Sequence, residues 1–231
     1  MRDTLVIFDC DGVLVDSEPL ACRILAEAVR GLGLDMDDTE ANEVFIGCSM
    51  AMVLDILSER LGRPVGQDFA DNFLDDLHAG MEVALDPIAG VHEAIGEIQA
   101  LDRIGGLCVA SNGEPETVRT SLNAVGLIGY FGERLFTARE AGRAKPHPDL
   151  FLHAAREMNF APHNCIVVED SLHGVNAAGS AGMIVFGYAP DAQPEKLCDH
   201  RLSIAGATVF INMNQLPALI SAALTTAAPP H

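Results

Sequence analysis

The chain has 231 residues, 49% of them hydrophobic, enough to bury a core in one large domain or in a domain carrying an insert. Its 33 acids against 14 lysines and arginines give a formal net charge of −19 with no basic stripe, which argues against nucleic acid or an anionic membrane as partner. No apolar run reaches the roughly 18 residues of a membrane span, MRDTLVIFDCDG meets charge too early for a secretion signal, and six scattered cysteines without a CxxC pair suit buried thiols in a reducing cytoplasm.

In chain order, TLVIF (4–8) is a short apolar run of the kind buried on both faces of a sheet. It leads into DCDG, where Asp9 and Asp11 are followed at once by Gly12. From Asp16 to about Asp86 the strand rhythm stops. PLACRILAEAVRGLGL, SMAMVLDILSERLG and residues 67–85 read as helices, the second with Met50, Val53, Leu54, Leu57 and Leu61 on one stripe and Gly62 and Pro64 to end it. Beyond this stretch helix and strand alternate. Val91, Ala94, Ile95, Ile98 and Leu101 fall at helical spacing, as do Leu150, Ala154, Ala155 and Met158, while GLCVA (106–110), CIVVE (165–169), MIVFG (183–187) and TVFI (208–211) read as strands. Such alternation predicts right-handed crossovers and a parallel, Rossmann-like α/β sheet. The expected division is a core from residues 1–16 and 87–231 with an all-helical insert over 17–86; the competing account of the insert is a longer crossover packed on the sheet.

In open parallel sheets, ligands bind beyond the carboxyl ends of the strands. Asp9 and Asp11 follow the first strand, Ser111 and Asn112 the second, and Glu169 and Asp170 a later one, while Lys145 in AKPHPD precedes a helix. Alternate residues of extended chain face the same side, so Asp9 and Asp11 can address one substrate atom. This set suits phosphoryl transfer, with Asp9 as nucleophile forming an aspartyl-phosphate and Asp11 as general acid and then base. Gly12 permits a tight backbone path beside the phosphate. A phosphate dianion about 4 Å from one carboxylate costs roughly 8 kcal/mol at an effective dielectric near 20, so cations are required. Mg²⁺ is the expected cofactor, held by Asp9, Asp170, Glu169 directly or through water, and the Asp11 carbonyl. Lys145 would bridge Asp9 and the phosphoryl oxygens, and Ser111 and Asn112 would donate to those oxygens.

DCDGVLVDS, SNG, KPHPD and VVEDS, in this order, resemble the four motifs of the haloacid dehalogenase superfamily, in particular its branch of beta-phosphoglucomutases and sugar-phosphate phosphatases. The resemblance spans residues 4 to about 187, and HAAREMNFAPHNCIVVEDS is similar to bacterial 6-phosphogluconate phosphatases. It implies a four-helix cap for the insert, Asp9 as nucleophile, Asp11 as acid and base, phosphate held by Ser111, Asn112 and Lys145, and Mg²⁺ held by Asp9, Glu169 and Asp170. It also implies a small phosphate ester as partner and a monomer or loose homodimer. Mutases of this branch carry a histidine and an arginine where this chain has Ala21 and Met50, which favours a phosphatase over a phosphomutase.

Bland readings stand beside these. Asp9 and Asp11 could solvate a loop, Ser111 and Asn112 could form a turn, and Asp170 or Ser171 could cap a helix. Glu18 and Ser49 in the insert are candidates for reaching the leaving group, against a plain surface role. From another class, a receiver-like signalling module also gathers acids, a hydroxyl and a lysine at strand ends, although the helical insert counts against it.

Overall fold

The computed structural model describes residues 3–45, 48 and 50–226. Two compact units emerge, one holding the chain through Val15 and again from Pro87, the other holding Asp16–Asp86. Strand β1 (Thr4–Phe8) is buried at all five residues, as its unbroken apolar run requires. After β2 (Val15–Asp16) come the helices α1 (Ser17–Gly31), α2 (Asp38–Phe45), α3 (Met50–Leu61) and α4 (Gln67–Ala84). β3 (Asp86–Pro87) pairs with β2 in a separate two-stranded sheet.

The remaining chain alternates: α5 (Val91–Ala100), β4 (Ile104–Ser111), α6 (Pro115–Ala124), α7 (Ile128–Phe131), β5 (Leu135–Thr137), α8 (Ala138–Ala141) and α9 (Asp149–Glu157). Then follow β6 (Cys165–Glu169), α10 (Leu172–Ser180), β7 (Ile184–Tyr188), α11 (Arg201–Ile204), β8 (Thr208–Phe210) and α12 (Leu216–Thr226). Six strands form one sheet in the order β5-β4-β1-β6-β7-β8, and every neighbouring pair is parallel. The expected Rossmann-like sheet is therefore present.

The order reverses at β1, which lies between β4 and β6 in register: Phe8 is level with Val109 on one side and Val168 on the other. The carboxyl ends of these three strands consequently share one rim, at the switch point where open α/β sheets bind ligands. Side chains of β1 alternate between two buried faces. Leu5 and Ile7 join a cluster with Leu150, Phe151 and Ala154 of α9 and with Val175 and Ala178 of α10. Phe8 meets the Phe131 ring edge-on at a centroid distance of 5.9 Å.

Within the helical unit, α1 turns Leu20, Ile24, Leu25 and Val29 inward, and Gly80 of α4 admits the Ile24 side chain where a Cβ would stand 2.6 Å from its Cδ1. Gly62, with φ +63°, follows α3 in the left-handed region that glycine tolerates at a helix end. All six cysteines are free thiols. Among the described residues no helix is long and apolar enough to cross a membrane.

Candidate active site

The end of β1 delivers Asp9 to the rim, held there by its N–H donating to Val168 O at 2.9 Å. β4 ends on Ser111, β6 ends on Glu169, and Lys145 comes from the irregular segment between α8 and α9. These separate pieces of chain meet at one ammonium. Lys145 Nζ lies 2.7 Å from Asp9 Oδ1 and 2.7 Å from Glu169 Oε1, with only 3% of its side chain exposed. The Phe151 ring lies under it, 4.9 Å from Nζ to the centroid, so the cation also faces a π surface.

Glu169 is wholly buried, and both of its oxygens are engaged. Oε1 receives Lys145; Oε2 accepts from Asp170 N at 3.0 Å, Ser171 N at 2.8 Å and Ser171 Oγ at 2.8 Å. Ser171 is also the N-cap of α10, its Oγ accepting from Gly174 N at 3.0 Å. Gly174 presents a bare backbone to the carboxylate, and a Cβ there would overlap Glu169 Oε1. The first turn of α10 thus forms a socket for this one acid. Sequence reasoning raised Ser171 only as a helix cap and passed over Gly174 and Phe151. The S-x-x-G spacing after the acid pair carried that signal.

Ionised, Asp9, Glu169 and Asp170 would set three negative charges against the single positive Lys145. The electrostatics register the shortfall. Burial drives the Asp9 carboxyl well above the usual range; the Lys145 charge opposes this, and the Glu169 charge adds to it. Burial works against the Lys145 ammonium, but the charges of Asp9 and Glu169 outweigh it and hold its pKa above the ordinary lysine value. Asp170 is pushed up to about 7, chiefly by burial and then by Glu169, while its own backbone and Lys145 pull the other way.

Oxygen atoms of Asp9, Glu169 and Asp170 lie within 4.8 Å of one another, a hard donor set of the kind that suits Mg²⁺. With Lys145 on Oδ1 of Asp9 and Glu169 engaged at both oxygens, Asp9 Oδ2 and the Asp170 carboxylate are the donors best disposed toward an ion. Gly12, at φ +74°, passes so close to Asp170 that a Cβ would overlap its Oδ2. A divalent cation fits both the donors and the charge deficit.

The other expected residues fall as follows. Asp11 is exposed and forms an isolated parallel bridge with Val15. Ser111 is buried, its Oγ accepting from Gly113 N at 3.0 Å. Asn112 directs its carboxamide to the main chain of Lys145, with Oδ1 accepting from Lys145 N at 2.9 Å and Nδ2 donating to Lys145 O at 3.3 Å. Glu18 is in the first turn of α1, exposed, and lines a cavity of about 200 Å³ formed within the helical unit with Cys22, Phe45, Met50 and Phe73. Ser49 lies outside the described residues.

With this geometry in hand, the comparisons with known proteins are specific. A family model described as haloacid dehalogenase-like hydrolase matches residues 4–182. The 6-phosphogluconate phosphatase of Escherichia coli K12 is 31% identical, over 94% of this chain and 95% of its own length. Hexitol phosphatase B of the same strain is 29% identical, over 85% of this chain and 90% of its own. Among solved structures, a haloacid dehalogenase family hydrolase from Deinococcus radiodurans, crystallised with bound phosphate and sodium, superposes with a TM-score of 0.77 at 31% identity, covering 98% of this chain and 99% of that one. The chain belongs to the haloacid dehalogenase-like hydrolase family.

Two outcomes test the site's construction. Gly174→Ala, by forcing a methyl group into the Glu169 carboxylate, should cost about 1–3 kcal/mol in urea unfolding, the usual penalty of overpacking. The raised pKa of Asp170 means that, without a cation, the folded state holds its proton between pH 3.8 and about 7 while the unfolded state releases it. Stability contributed by this group is therefore lost as pH rises through that window. Metal-free Asp170→Asn should escape the loss, so its stability relative to the parent should climb from pH 4 to 7 by on the order of 3 kcal/mol; a pH-independent difference would contradict the assignment.

Proposed function

We propose that this phosphoric monoester hydrolase is a Mg²⁺-dependent phosphatase of small phosphorylated metabolites, sugar or sugar-acid phosphates, that works through an aspartyl-phosphate. The observation that carries the reading is the buried Lys145 ammonium bridging Asp9 and Glu169 at 2.7 Å each, with Asp170 alongside. A lysine held this way orients one carboxylate oxygen and offers its remaining N–H to an incoming phosphoryl group.

In this reading the Asp9 carboxylate attacks phosphorus, the bond from phosphorus to the ester oxygen breaks, and Asp11 supplies the proton that the departing alcohol needs. Asp11, now a carboxylate, takes a proton from water as the water attacks the acyl phosphate, which releases inorganic phosphate and restores Asp9. Ser111, Lys145 and the backbone around Asn112 and Gly12 would bind the phosphoryl oxygens as charge develops on them. A Mg²⁺ ion held by Asp9 and Asp170, with Glu169 behind them and the Asp11 carbonyl beside them, would supply the positive charge that lets a phosphate dianion approach these acids.

The substrate class is supported by the two Escherichia coli relatives, named for 6-phosphogluconate and hexitol phosphates. Ala21 and Met50, where mutases of this branch carry histidine and arginine, support hydrolysis over phosphate return. Six free thiols support a cytoplasmic enzyme, and a net charge of −19 supports a small molecule over nucleic acid or a membrane as its partner; a monomer or loose homodimer follows from the family resemblance alone.

Phosphate release should be measured on 6-phosphogluconate, hexitol phosphates and a generic aryl phosphate. Chelation of divalent ions should abolish turnover and Mg²⁺ restore it, while Asp9→Asn should lower kcat by three orders of magnitude or more, at least about 4 kcal/mol of barrier. Retained activity in Asp9→Asn would remove the nucleophile assignment, and net isomerisation without phosphate release would indicate a mutase instead.

A further inference from the structure

We propose that Asn112 is a positioning residue, whose carboxamide grips the main chain of Lys145 and so sets where the Lys145 ammonium stands between Asp9 and Glu169. The inference deepens the reading above and rests on Lys145 belonging to the reaction.

Lys145 lies in irregular chain between α8 and α9, where neither a β ladder nor a helix takes up its amide groups. The residue is buried, and buried N–H and C=O groups must find partners. Both find the same one. Asn112 Oδ1 accepts from the Lys145 N–H at 2.9 Å, and Asn112 Nδ2 donates to the Lys145 carbonyl at 3.3 Å. A carboxamide is suited to this because it carries an acceptor and a donor side by side. An ionised carboxylate only accepts, an aliphatic side chain does neither, and a hydroxyl has donor and acceptor on a single atom rather than side by side. The next residue, Pro146, has no N–H to contribute.

Asn112 is itself well anchored. It follows directly on β4, whose Cys108 and Val109 are in register with Ile7 and Phe8 of β1, and on its other side Ser111 Oγ accepts from Gly113 N at 3.0 Å. The carboxamide therefore ties a loop residue to the rigid centre of the sheet, 33 positions earlier in the chain. The tie matters because lysine reaches its partners on a flexible four-carbon stem. Two simultaneous 2.7 Å ion pairs demand that the base of that stem be held to within about 0.5 Å. The sequence pattern suggests the alternative, a carboxamide that touches the phosphoryl oxygens directly. In the structure both its polar ends face the Lys145 peptide.

A double-mutant cycle separates the two roles, using the wild type, Asn112→Ala, Lys145→Met and the double variant with an aryl phosphate and Mg²⁺. If Asn112 acts through Lys145, Asn112→Ala lowers kcat about 10- to 100-fold with KM changed less than about threefold, and adding it to Lys145→Met changes the residual rate less than about twofold. The same fold loss in both backgrounds, or a loss carried by KM, would overturn positioning in favour of direct contact. The rise in melting temperature caused by inorganic phosphate is read across the same four proteins and decides the matter by the same rule should Lys145→Met give no measurable turnover. Asn112→Ser takes the place of the alanine variant if the latter lacks a cooperative melt. Unchanged turnover in Lys145→Met would overturn the assignment of Lys145 itself; a loss there with Asn112→Ala at the parental rate would overturn the positioning role alone.

Discussion

A buried ammonium between two carboxylates is the constraint from which the rest of the site follows. Removing Lys145 would leave the Asp9 and Glu169 charges uncompensated in a place almost closed to solvent, which is far more costly than the loss of a surface ion pair. The fold answers with extra hydrogen bonds on every side. Glu169 takes three donors on the oxygen that Lys145 leaves open, and Phe151 covers the ammonium from beneath. Even so the balance stays negative, as the elevated Asp9 and Asp170 carboxyls show. A centre with surplus negative charge and little solvent is poised to accept a hard cation and, with it, a phosphate.

The parallel sheet is what makes such a centre affordable. β1 is flanked by β4 and β6, so three strands end together and project chemistry from a common rim, while their apolar bodies fix the spacing. Nothing flexible separates Asp9 from the core: Phe8, its neighbour, is fully buried against Phe131. Asp9 and Asp170 follow directly on strand ends, whereas Lys145 lies in the irregular chain between α8 and α9, where the Asn112 side chain is given over to its backbone.

Much of this was legible in the residues. Buried parallel strands read as unbroken apolar runs, so TLVIF and CIVVE announced themselves, and the acids immediately after them had to emerge at the rim. Lys145 stood out because lysine occurs at only two positions, 145 and 196. Other parts carried no such signal. β5 is three residues long at the sheet edge, too short for a period, and α2 has mostly polar residues in DTEANEVF. Sequence order could bring Asn112 near the rim, yet it could not say which way a carboxamide with a donor and an acceptor would turn. Nor could it tell that Glu169 would spend both oxygens on protein groups, because that depends on the angle at which α10 leaves β6.

The pairing of β1 has one more consequence, which concerns the birth of the molecule. Thr4 is level with Ile104, and Leu5 with Cys165, so the first strand made is a segment apolar at four of its five residues whose partners emerge about 100 and 160 residues later. During synthesis it has no native neighbour until β4 appears, and contacts of such long sequence separation form slowly. The segment that ends in Asp9 is thus also the stretch of nascent chain most in need of shelter.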